Sequence, residues 1–158
     1  MNPSLDQFAQ TISLASPENE RLRLAFGYAC ARRVEHLLED PEVTHCLSRL
    51  GQFLDGVVDS ATLEWVQKEA VRLANQHLGS RSIDGCGHAA VSASYAVANA
   101  VSGKAIEAAS YAAYASVYAD GGSAAVAQPS AFELEFSWQL GELRRLASTH
   151  VLRDTNMA

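Results

Sequence analysis

Apolar residues recur every three or four positions along most of the chain, the spacing that gathers them on one face of an α-helix. Leu5, Phe8, Ala9 and Ile12 mark a short first helix within residues 1–15. It opens with Asn2-Pro3, an N-cap followed by proline at the first helical position. Ser16-Pro17 repeats the signal and predicts a longer helix over 17–39, with Leu22, Ala25, Phe26, Ala29, Arg33, His36 and Leu37 on one face. Asp40-Pro41 starts a third, with Val43, Leu47, Leu50 and Leu54 inward until Asp55-Gly56 breaks it. Ser60 is the expected cap of a helix over 61–78, whose inward stripe is Leu63, Val66, Ala70, Leu73, Ala74 and His77. Gly79 is its expected left-handed stop.

The next region is dominated by alanine. Gly103 divides it into expected helices over 87–102 and 104–119, and Asp120-Gly121-Gly122 ends it. Ser130-Ala131-Phe132-Glu133 has the spacing of a capping box for a last helix running to about Ala147. Phe132, Phe136, Leu140 and Leu143 should face inward, and 148–158 reads as a flexible tail. No stretch alternates apolar and polar residues with period two, so no strand is expected. The expected fold is all-α, a single domain over 1–158 with six or seven helices. Small side chains at nearly every position of the Ala-rich pair let backbones approach closely, which places that pair at the centre of the bundle.

Composition narrows the function. A chain of 158 residues, 48% of them hydrophobic, can bury a core without a disulfide or metal staple. Twelve basic against eighteen acidic residues give a net charge of −6, which argues against nucleic acid and for a protein partner with a basic surface. Cys30, Cys46 and Cys86 are an odd, widely spaced set, as expected for free thiols in a reducing compartment. The amino terminus carries no basic-then-apolar leader, and Lys104, Glu107 and scattered Ser and Asn interrupt the Ala-rich run. A cytoplasmic protein with no membrane partner is expected, as monomer or homodimer.

Three groups of residues are candidates for chemistry or binding. His88, Ser92, Tyr95, Asn99 and Ser102 step by four, three, four and three, which makes a polar stripe on one helical face. Arg32, Arg33, Tyr111, Tyr114 and Tyr118 could approach it. The stripe reads either as a network whose members satisfy one another or as the lining of a small-ligand or enzyme site centred on His88, Tyr95 and Asn99. Glu35, Glu39, Asp40, Glu42, Asp55, Asp59 and Glu64 form an acidic group beside Trp65, either a solvated surface or a patch that steers a basic partner. Glu133, Glu135 and Glu142 form a second acidic group. Glu42-Val43-Thr44-His45 has ligand spacing but occurs once, where a di-iron bundle needs two such motifs, so no metal and no cofactor are expected. Cys86 at a helix start, two residues before His88, would have an acidified thiol, although a buried structural cysteine is the commoner outcome. No catalytic residue is assigned.

Three stretches together resemble a known family. They are Arg21 to Val34 with its Arg32-Arg33 pair, the run from Gly87-His88 through Tyr95 to Ala113-Tyr114-Ala115, and Glu135-Phe-Ser-Trp138-Gln139-Leu140 followed by Leu143-Arg144. The chain from about Arg21 to Leu146 is similar to the fifth immunity-protein family of bacterial polymorphic toxin systems, which are small all-helical proteins. The resemblance implies a protein that binds and neutralises a cognate toxin domain by occlusion, without catalysis. Residue by residue it carries over Arg32, Arg33, His88, Glu135 and Trp138 as a polar set that braces the bundle or lines a partner groove. The segment from Asp120 to Ser130 is longer and richer in Gly and Ala than the family pattern, and the stretch from Thr149 to Ala158 has no counterpart in it.

Overall fold

The computed structural model describes residues 1–77 and 86–157, and side chains over 1–77 and 88–151. The described residues form seven α-helices and no strand. These are α1 (Pro3–Thr11), α2 (Glu20–Arg33), α3 (Pro41–Leu54), α4 (Ser60–Gln76), α5 (Cys86–Val101), α6 (Ala105–Ala125) and α7 (Glu133–Met157). None of them is long and apolar enough to cross a membrane.

The alanines decide the architecture. Ala93, Ala96, Ala100, Ala108, Ala112, Ala113 and Ala115 are fully buried, so α5 and α6 form the centre of the bundle with larger side chains around them. On one side α3 and α4 cover α5 with Val43, Leu47, Leu50, Leu63, Val66 and Leu73. On the other, α1, α2 and α7 enclose α5 and α6 with Leu5, Leu22, Phe26, Cys30 and Leu143. Helix α2 serves both layers, because Leu24 and Ala31 face the first while Phe26 and Cys30 face the second. Gly27 of α2 lies against Ala100 of α5, where a methyl group would stand 3.0 Å from the Ala100 Cα. A third cluster joins α6 to α7 through Val117, Phe132 and Phe136.

Several boundaries differ from the sequence expectation. The helix expected over 17–39 is three pieces, a 3-10 turn over Pro17–Asn19, α2, and a second 3-10 turn over Glu35–Leu37. Ser16 makes no side-chain cap there. Asp59, not Ser60, caps α4, accepting at 2.9 Å from both the Thr62 amide and its hydroxyl. The expected capping box at Ser130 is replaced by a 3-10 turn over Pro129–Phe132, with no side-chain cap. Helix α6 runs to Ala125 across a kink at Gly122, whose φ is +69° and ψ −169°. The break at Gly103 (φ +74°) is as expected. Helix α7 continues to Met157, through the stretch read as a tail. Gly79 lies outside the described residues.

The Asp59 cap carries a pH prediction. The Thr62 amide and hydroxyl hold its carboxyl below the usual carboxylate range. A group with a depressed folded pKa stabilises above its unfolded pKa, and that contribution is lost as pH falls through the folded value. Asp59→Ala should therefore lower Tm more at pH 7 than at pH 2.5. Asp59→Asn, which keeps an acceptor, should lose less. Equal Tm losses at both pH values would refute the charged cap.

Candidate functional site

The residues that carried the resemblance separate into three places. On the α2–α7 side, Arg33 and Glu135 meet across 102 positions of sequence. The Arg33 Nε donates to Glu135 Oε1 and Oε2 at 3.0 and 3.1 Å, and Nη2 donates to Oε2 at 2.9 Å. The guanidinium also lies over the Trp138 ring, 4.1 Å from its centroid. The Glu135 side chain is only 8% exposed, so this is a charge taken largely out of water and matched by a planar donor fork. Glu135 was read both as part of an acidic group and, by the resemblance, as part of a polar set bracing the bundle; it is one half of a brace. Below it, burial chiefly, and then the negative charges of Glu135 and Glu142, push the Cys30 thiol well above its ordinary range.

Arg32 turns the other way, pairing with Glu35 at 3.2 Å and lying over the Tyr28 ring. Neither arginine reaches the polar stripe of α5 as expected, because both are engaged near the end of α2. The stripe borders α4 on one side and α6 on the other. The Tyr95 hydroxyl donates to Asn75 Oδ1 of α4 at 3.0 Å, while its ring stacks on Tyr111 of α6. His88 is exposed and stacks on Tyr118. Asn99 Nδ2 donates to the Tyr95 carbonyl at 2.8 Å, and Ser102 Oγ to the Ala98 carbonyl at 2.8 Å. Ser92 is half-buried on the same face. The stripe's polar groups are thus largely committed to their own helix and its neighbours, and its aromatic rings knit α5 to α6.

The acidic set is distributed, not clustered. Asp40 caps α3, accepting from the Glu42 amide at 2.9 Å, and Asp59 caps α4. Glu35 is paired with Arg32. Asp55, at the end of α3, borders a groove of about 410 Å³ shared with Tyr28 of α2 and Glu142 and Arg145 of α7. Glu39 and Glu64 are exposed. Of the expected set, Glu42 lines a groove of about 260 Å³ with Trp65 between α3 and α4, together with Pro41, His45, Cys46 and Glu69. Trp65 is 61% exposed. Burial chiefly, and then the charges of Glu69, Asp40 and Glu42, push the Cys46 thiol up to about 11.

Sequence reasoning missed Glu69 at this groove and a buried polar bridge elsewhere. Gln139 is fully buried, donates to the Ala109 carbonyl at 2.8 Å, and accepts from Asn2 Nδ2 at 3.5 Å. It ties α7 to α6 and to the amino terminus. The sequence pattern put Leu140 on the inward face of α7. The spacing 132, 136, 139, 143 is equally helical and is the signal that would have found Gln139, which is buried where Leu140 is only half-buried.

The thiols give a direct check. Only a thiolate alkylates readily, so iodoacetamide at pH 8 should leave Cys30 and Cys46 unmodified in the native protein and label both in urea. Peptide mass spectrometry would locate the adducts; native labelling of Cys30 would contradict its burial. The Cys86 side chain lies outside the described residues. Among the described residues no group of three or more His, Cys, Asp and Glu side chains is arranged to hold a metal ion.

No family model, curated protein or solved structure matches this chain.

Proposed function

We propose that this chain is a bacterial immunity protein of the fifth polymorphic-toxin immunity family, acting in the cytoplasm by binding one cognate toxin domain and covering its active site. The observation that carries the reading is the convergence of Arg33, Glu135 and Trp138. Arg33 was matched to the family pattern on one segment and Glu135 with Trp138 on another a hundred residues away, and the three form one contact set. A shared brace of this kind is what related sequences would keep while their surfaces diverge, since specificity lies in surface residues. The mechanism needs no covalent step and no cofactor. Occlusion requires an interface burying more than about 1,000 Å² with a few aromatic or charged anchors. A net charge of −6 favours a partner with a basic surface and would speed encounter at low salt.

The test is growth rescue. The carboxy-terminal domain of each large open reading frame beside this gene is expressed with and without the protein. Selective rescue together with a co-purifying complex is the expected result, and sedimentation of the complex gives its stoichiometry. Toxicity that this protein fails to relieve would overturn the reading.

A further inference from the structure

We infer that the groove between α3 and α4 receives an arginine side chain presented by a protein partner, stacked on the exposed face of Trp65 and bounded by Glu42 and Glu69. That the partner is a toxin domain rests on the function proposed above; the groove's preference for a cation does not.

The chemistry is already present once in this fold. At the α2–α7 brace a guanidinium lies 4.1 Å from a tryptophan centroid while a glutamate takes its donors. The α3–α4 groove repeats the tryptophan and the carboxylates, and its tryptophan is open to solvent instead of covered by an arginine of the chain. A 61% exposed Trp beside an apolar floor of Pro41 and Cys46 offers a flat surface to a flat cation. Charge selects the occupant. Arg72 holds both oxygens of Glu69 and Arg49 donates to the groove's His45 at 3.3 Å, yet Asp40, Glu42 and Glu69 still outnumber these two arginines. Glu64 and Lys68, Trp65's neighbours along α4, offset each other. An anion is repelled by this field, and an aliphatic side chain gains nothing from it. Arginine fits better than lysine, since its planar guanidinium can stack and direct donors to the rim at the same time.

The probe is the capped tripeptide acetyl-Gly-Arg-Gly-amide, with Lys, Glu and Leu versions as comparators. The readout is the Trp65 indole N–H in a nitrogen–proton correlation spectrum, assigned by its loss in Trp65→Phe. Contacts of this kind are weak at exposed sites, so titration runs to about 20 mM peptide. The Arg peptide should move the Trp65 signal saturably, with Lys weaker and Glu and Leu without effect. The double variant Asp40→Asn, Glu42→Gln preserves a cap acceptor on α3 and should weaken Arg binding roughly fivefold. Equal shifts from Arg and Glu peptides, or no shift from either, would overturn the inference. So would a Trp65 signal that moves on dilution of the protein alone, because a second copy would then occupy the groove. Saturable Arg binding with no toxin rescued would keep the groove and remove the immunity reading. Full rescue by Trp65→Ala, with unchanged affinity for the toxin, would keep the immunity reading and remove the groove from it.

Discussion

Arg33→Ala is expected to destabilise the protein by about 2–3 kcal/mol, because it strands a buried carboxylate. Glu135 is nearly covered, and the guanidinium that neutralises it also covers the Trp138 ring. The Arg33 side chain is itself 40% exposed, so water can partly replace it, and the estimate sits below the cost of breaking a fully buried pair. Arg33→Lys should recover only part of the loss, since an ammonium can neither fork onto both carboxylate oxygens nor lie flat on indole. Two further variants separate the stranded charge from lost packing. Glu135→Gln alone should cost about 1 kcal/mol, and the double variant Arg33→Ala, Glu135→Gln should cost less than the two singles added together. Urea denaturation at pH 7 measures all four. Strict additivity would mean that the pair is not coupled and that the brace is packing alone.

That pair also shows where the sequence stops being informative. Helix periodicity reports which residues of one segment share a face, so Val43, Leu47 and Leu50 were legible as core. It says nothing about which arginine meets which glutamate a hundred residues away. By periodicity Arg33 read as a continuation of an apolar face and Glu135 as part of an acidic group; the family resemblance put both in one polar set, but without saying that they pair. The failure over 17–39 has a different origin. A 3-10 turn also places residues three apart on one side, so short turns before and after α2 leave the apolar rhythm unbroken while the axis changes direction. At α4 two good cap residues stand side by side, and the first of them, Asp59, makes the hydrogen bonds. The candidate site was half visible. Trp65 and Glu42 were singled out, but Glu69 was not, because whether an exposed-looking glutamate borders a groove depends on the angle between α3 and α4. Small residues at positions 93–115 did announce the close-packed centre, since alanine on every side of a helix leaves its neighbours nowhere to stand but near.

The centre's closeness can be measured at one residue. Gly27→Val should cost about 3 kcal/mol, whereas Gly141→Ala, on α7, should be neutral or stabilise by up to about 1 kcal/mol. Both glycines sit inside helices, where alanine is favoured over glycine by roughly 1 kcal/mol. They differ in what a new side chain meets. At Gly141 a methyl group finds nothing within 4 Å. At Gly27 it meets Ala100 at 3.0 Å from Cα and 3.2 Å from Cβ, and backbone cannot swing aside as a side-chain tip can. Gly27→Ala therefore sets the helix preference against a contact that needs a few tenths of an ångström, and should come out within about 1 kcal/mol of zero. Valine adds two methyl groups to the same gap and must push α2 off α5, opening both layers of core that α2 serves. Paired thermal and urea unfolding of the three variants tests this. If Gly27→Val matched Gly141→Ala in stability, α2 and α5 would not be in backbone contact, and the Ala-rich pair would lose its place at the centre of the bundle.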